Sequence, residues 1–237
     1  MQSISKKTGY LAFTWIAIAS LTGGMLTACS STSQNQAQNT AKTDAGDKPH
    51  HMGHDNDMMN HGSGTNHSMA MDLGPGDADY DLRFLDGMTP HHQGAIEMAK
   101  QAQQKSKRPE IKQLANNIIK AQEKEIAQMK RWRKGWYPKA GDKLMAYHSQ
   151  KSHMMEMSPE QKQAMMMNAD LGAADTEFDK RFIDGMIPHH EGALVMAKDA
   201  LSKSKRPEIK QMAQEILSSQ QKEIDQMKQW RKAWYNP

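Results

Sequence analysis

Histidine and methionine recur in this chain at spacings that could gather a soft metal ion. Met88, His91, His92 and Met98 lie in one stretch, Arg83-Phe84-x-Asp86-Gly87-Met88-x-Pro90-His91-His92-x-Gly94-Ala95, which continues to Met98-Ala99-Lys100. Met186, His189, His190 and Met196 repeat that spacing further on. A third group precedes both: His50, His51, Met52, His54, Met58, Met59 and His61, then His67, Met69 and Met71. Imidazole and thioether both bind copper, and thioether favours the cuprous ion over zinc or magnesium. Met occurs 21 times and His 11 times in 237 residues. Some of that methionine is explicable as helix former and core filler. Residues 50 to 71 have no such explanation, because Gly and Asn interrupt them and no helical or strand period survives.

These donors need elements to hold them, and a duplication supplies them. Asp77 to Tyr137 aligns with Asp175 to Tyr235 without a gap, roughly two-thirds of the positions being identical. In the first half of each copy, Phe84, Met88, His91, Ala95, Met98 and Ala102 fall at alternating steps of four and three, one face of a helix. In the second half, Ile111, Ala115, Ile118, Gln122, Glu125, Met129, Trp132 and Trp136 do the same. Between them Lys105-Ser106-Lys107-Arg108-Pro109 makes a turn, with Pro109 and Glu110 opening the second helix. Each copy therefore reads as a helical hairpin with one apolar face. Two hairpins can close into a four-helix bundle. The fold class expected is all-α.

Folding the hairpin about its turn sets His91 opposite Gln122, Met88 opposite Glu125 and Phe84 opposite Met129. A carboxylate in a buried seam costs several kcal/mol unless it is paired or bound to a cation. Glu125 and its equivalent Glu223 thus join the histidines as candidate metal ligands. Pro90 removes one backbone bond inside its helix and is expected to bend it beside the histidine pair. The competing reading is a core histidine hydrogen-bonded to Gln122 or Glu125, with the methionines as packing. Trp132, Trp136 and Tyr137 read as caps on the bundle end. Lys and Arg along both helices read as a solvated face. The connector, Pro138 to Ala174, is too long for bare loop. Ser158-Pro159-Glu160 opens a short helix there through Met167, and Met145, His148, His153, Met154, Met155 and Met157 repeat the soft-donor chemistry.

The amino terminus reads as an export signal. Lys6 and Lys7 precede an uncharged apolar run from Tyr10 to Ala28, ending Leu26-Thr27-Ala28-Cys29. That ending resembles the bacterial lipoprotein signal, in which the cysteine carries lipid, and Cys29 is the only cysteine. An ordinary membrane-spanning anchor is the alternative. The organisation expected is a signal at 1–28, a Ser/Thr/Gln/Asn-rich tether at 29–49, a disordered His/Met-rich capture segment at 50–76, a repeat at 77–138, the connector at 139–174 and a repeat at 175–237. The formal charge of +4 is spread among interleaved signs, so no basic stripe points to nucleic acid.

Phe-x-Asp-Gly-Met-x-Pro-His-His-x-Gly-Ala-x-x-Met-Ala, followed by Gln-x-x-Glu-Ile-x-x-Met-x-x-Trp, resembles the ferritin-like domain-of-unknown-function family 305. Copper-binding periplasmic proteins of the CopM type belong to that family. The resemblance covers both repeats and implies helical bundles of the cell envelope that bind copper and aid copper tolerance. By motif position it implies Met88, His91, His92, Met98 and Met129, then Met186, His189, His190, Met196 and Met227, as participants.

The function expected is sequestration or hand-on of copper, as Cu(I) or Cu(II), by a periplasmic protein held to a membrane through lipid on Cys29. Zinc and silver also suit these donors, and copper-exporting or copper-oxidising proteins are the expected partners. Nothing resembles a nucleophilic triad, a phosphate loop or a paired acid and base, so no enzyme is expected. Two alternatives stand beside this: a metal-free envelope bundle for partner contact, and a ferritin-like di-iron oxidase. The latter wants Glu-x-x-His on two helices, which neither repeat contains.

Overall fold

A computed structural model describes residues 72–235. The export signal, Cys29, the tether and the capture-segment donors His50, His51, Met52, His54, Met58, Met59, His61 and His67 lie outside the described residues. Within them, each repeat is two long helices. The first repeat forms α1 (Tyr80–Lys105) and α2 (Pro109–Trp136). Pro109 opens α2 where its missing N–H is not needed, Glu110 occupies its first turn, and Arg133 and Lys134 its last. In the turn, the Ser106 hydroxyl accepts from the Arg108 N–H at 3.1 Å.

The connector forms strands β1 (Met145–His148) and β2 (His153–Glu156) and helix α3 (Pro159–Met166). The second repeat forms α4 (Phe178–Lys203) and α5 (Pro207–Tyr235). The Ser158 hydroxyl accepts from the Gln161 N–H while the Gln161 side chain accepts from the Ser158 N–H, a reciprocal cap that starts α3. The expected short helix is present. The antiparallel hairpin β1–β2 is an addition to the all-α expectation. It is too short to show a convincing alternation in sequence. Among the described residues no helix is long and apolar enough to cross a membrane.

The two hairpins pack on each other, chiefly through α1 and α4, and cores are shared between repeats. Tyr80, Phe84, Met88 and Met129 of the first repeat cluster with Met196, Ala200, Ile209 and Met212 of the second. Met98, Ala102, Ile111 and Ile118 cluster with Phe178, Phe182, Met186 and Met227. Contacts recur with the repeats exchanged. The Arg206 guanidinium lies 4.1 Å from the Trp136 ring and Arg108 lies 4.0 Å from Trp234. Arg206 pairs with Asp81 and Arg108 with Asp179, each at 3.6 Å. Such self-complementary exchange is the mark of twofold symmetry, here within one chain. The Trp132–Trp136 and Trp230–Trp234 stacks sit at the bundle ends, as their reading as caps requires.

Two arginines depart from the solvated face expected of them. Arg83 is fully buried and donates to the carbonyls of Leu73 and Pro75, at 2.6 Å each. Arg133 clamps Asp86 and also donates to the carbonyls of Gly141 and Lys143. Both tie irregular chain to α1, so their charge is spent on backbone acceptors that a sequence does not display. The Met145 N–H adds a 2.9 Å bond to Asp86, which docks the hairpin on the first repeat.

Candidate metal centre

Pro90 does not interrupt α1, which runs on through it, and both adjacent histidines after it are buried. A helix turns about 100° per residue, so neighbours cannot share one face. In α1 both stay buried because α2 covers one side and α4 the other. His91 meets His189 across the α1–α4 crossing with ring centroids 4.0 Å apart and planes tilted by 54°. His92 and His190 turn toward their own second helices. The His91–His92 centroids are 6.4 Å apart and those of His189 and His190 6.2 Å. The result is a row of four imidazoles, His92, His91, His189, His190, through the symmetry centre.

The hydrogen bonds fix where the lone pairs lie. His92 Nε2 is 2.7 Å from a Glu125 carboxylate oxygen, and His190 Nε2 is 2.7 Å from Glu223. A carboxylate only accepts, so each Nε2–H donates and Nδ1 keeps the free lone pair. Both Nδ1 atoms are buried without a partner. His189 Nε2–H donates to the Met166 carbonyl at 3.0 Å, again leaving an unpartnered Nδ1. Neither ring nitrogen of His91 has a partner. A buried polar atom left unmet costs about 1–3 kcal/mol. Five such nitrogen atoms lie in one row, and since one of the two on neutral His91 carries the proton, four of them present a free lone pair.

Burial drives the ionisation of the central pair. His189 is pushed down to about 3 by loss of solvent, with His190 adding to it. His91 falls well below its ordinary range, first through burial and then through His189. Both are therefore neutral at pH 7, the state in which imidazole binds metal.

The candidate methionines lie in the same bundle core. Met88, Met98, Met129, Met186, Met196 and Met227 are all fully buried. Their grouping crosses the repeats. Met98 joins Met186 and Met227 in one core while Met196 joins Met88 and Met129. A methyl carbon on Gly185 would lie 3.7 Å from the Met98 sulfur, which places that sulfur in the second repeat. Met98 lies two turns beyond His91, and the crossing of α1 and α4 carries it past the symmetry centre. Sequence spacing within one repeat cannot register that crossing.

Two further facing pairs differ from expectation. Glu125 bonds His92 rather than lying alone opposite Met88. His91 faces His189, and is not hydrogen-bonded to Gln122, whose Oε1 is buried and unpartnered, as is that of Gln220. The chain also places a residue run of the connector at the site. The Met166 carbonyl caps His189, and a Cβ on Gly94 would lie 1.7 Å from that oxygen and 3.2 Å from His189 Nε2. Met165 is buried and Met167 packs on the same core. The methionine run was the only signal for this placement.

Among the described residues no three His, Cys, Asp or Glu side chains converge on one point. Imidazole and carboxylate alone thus do not complete a site. Thioether sulfur is the other donor type buried in this core, and it favours soft ions.

Comparison with known proteins gives the family and the fold. The profile of a domain of unknown function, DUF305, matches residues 23–133 and 81–231. Solved structures of CopM are similar in fold. The Cu(I)-bound form is 39% identical with a TM-score of 0.51, over 66% of this chain and 98% of that one. The Cu(II)-bound form is 41% identical with a TM-score of 0.52, over 65% and 97%. A silver-bound form obtained by co-crystallisation is 39% identical with a TM-score of 0.53, over 66% and 98%. A 49-residue stretch is 49% identical to the uncharacterized protein L153 of Acanthamoeba polyphaga mimivirus, covering 21% of this chain and 32% of that protein.

Proposed function

The chain belongs to the DUF305 family, and on that premise we propose that it is a copper-binding protein that sequesters the ion or hands it on. The observation that carries this reading is the buried row of imidazoles with unpartnered nitrogens, in a bundle whose core also holds six buried thioethers. Neutral imidazole and thioether suit Cu(I), and silver as its larger analogue. The CopM structures in Cu(I)-, Cu(II)- and silver-bound forms support the same ligand class. In this reading Glu125 and Glu223 orient His92 and His190 through their Nε2–H groups rather than bind the ion. A carboxylate behind a ligating histidine fixes its tautomer and raises its basicity.

The finer reading places the protein in the periplasm, held to a membrane by lipid on Cys29, with the His/Met-rich residues 50 to 71 capturing copper. The apolar run before Cys29 and the donor composition of that segment support it. Many weak donors on a tether raise the local concentration of ion at the bundle.

The test is a titration of the protein with Cu(I), Cu(II) and Zn(II), with competing chelators setting affinity. It is repeated with the His and Met of residues 50 to 71 replaced, and with His91→Gln plus His189→Gln. Copper is expected to bind in preference to zinc, with separate losses in the two variants. Copper uptake unchanged in both would remove the site assignment.

A further inference from the structure

The connector hairpin carries a second set of soft donors, well outside the buried row. In its register Ala146 pairs with Met155, Tyr147 with Met154 and His148 with His153. Side chains alternate across a strand and cross-strand partners share a face. Tyr147 lies on the face turned to the bundle: its ring occupies the space a Cβ on Gly74 would need, and Arg83 sits 5.5 Å from its centroid. His148, His153 and Met155 therefore share the opposite face, with Ala146 as the small fourth member.

We infer that His148, His153 and Met155 form a peripheral site for a soft monovalent ion, Cu(I) or its analogue Ag(I). The two imidazole centroids are 6.4 Å apart with planes within 11°. An ion about 2 Å from one nitrogen of each ring holds the centroids at roughly 5–6 Å, so these stacked rings bridge one ion once they close by about half to one and a half ångström and turn their in-plane lone pairs toward each other. His153 is prepared for it: its Nδ1–H donates to the Lys151 carbonyl at 3.1 Å, which leaves the Nε2 lone pair free. His148 Nδ1 is buried and has no hydrogen-bond partner. Met155, two positions from His153 and on the same face, is the third donor of the inferred site. The hairpin is held by Asp86 and Arg133 independently of these three residues, so the site has a fixed frame.

This inference shares its ion class with the copper-binding reading above but uses none of its ligands. It is tested by adding silver nitrate stepwise to the full chain, following assigned imidazole and methionine-methyl resonances, and measuring bound silver. The His148, His153 and Met155 signals are expected to shift together, and His148→Gln with His153→Gln to remove one equivalent of silver while the His91 and His189 shifts persist. Unchanged stoichiometry in that double variant overturns the peripheral site and leaves the buried one standing. Shifts confined to the hairpin support it and overturn the buried site. Absence of any silver uptake overturns both.

Discussion

At the level of single residues, the chemistry of this protein rests on which nitrogen of each imidazole is left free. Glu125 and Glu223 decide this for His92 and His190 by accepting the Nε2–H. Glu125→Gln with Glu223→Gln keeps size and removes charge, and its amide can donate where the carboxylate only accepted. Copper affinity is expected to fall by about 10- to 100-fold with the helical content intact, read by competition against a Cu(I) chelator. An affinity unchanged in that variant would mean these carboxylates do not act on the ligands. The central pair makes a different forecast. The unfolded chain protonates His91 and His189 near pH 6.5, whereas burial keeps the folded ones neutral far below that. Stability present above pH 6.5 is therefore lost as the pH falls from there toward the folded values, by about 1.4 kcal/mol per unit for each histidine. Urea midpoints of the metal-free protein should drop between pH 7 and pH 5, and His91→Gln with His189→Gln should flatten that drop. A midpoint indifferent to pH in this window would sink the account.

Among the elements, the connector was the least legible part of the sequence and turns out to break the symmetry of the site. The repeat helices could be placed from their apolar period, and the cap of α3 from Ser158-Pro159. The hairpin could not, since four-residue strands held by Asp86 and Arg133 depend on contacts made far along the chain. Its docking shows in the acids as well. Burial raises the Asp86 carboxyl despite Arg133, whereas for the equivalent Asp184 burial is outweighed by Arg231 and Lys180 and the shift is downward. The close approach of α3 to α1 rests on Gly94. Gly94→Ala would drive a methyl into the Met166 carbonyl and is expected to cost about 1–3 kcal/mol, while releasing the acceptor of His189. Gly135→Ala, in a helix with open space around it, is expected instead to stabilise by about 0.5–1 kcal/mol. Thermal denaturation of the two variants gives the comparison, and equal midpoints would deny Gly94 its role.

For the molecule as a whole, duplication made the histidines and the carboxylates easy to find and hid how the methionines are shared. A repeat invites each set of donors to be read as a unit, because spacing is all that a single copy displays. The twofold crossing of α1 and α4 reassigns the outer methionines, so neither hairpin owns a complete set: Met196 stands with Met88 and Met129, Met98 with Met186 and Met227. In the proposed copper-bound form, an ion on one side of the centre would hold both repeats together. Any ligand that binds only the folded form stabilises it by mass action, and here the gain would fall on the interface between hairpins. Met98→Leu conserves volume closely enough to keep the core, with a cost below about 1.5 kcal/mol. With Cu(I) or silver added, this variant should weaken the response of the His190 imidazole in the second repeat and spare that of His92, the ligand on its own helix. Met196→Leu should do the reverse. If each substitution instead dulled the histidine of its own repeat, the donors would be gathered hairpin by hairpin and the crossing would have no part in metal binding.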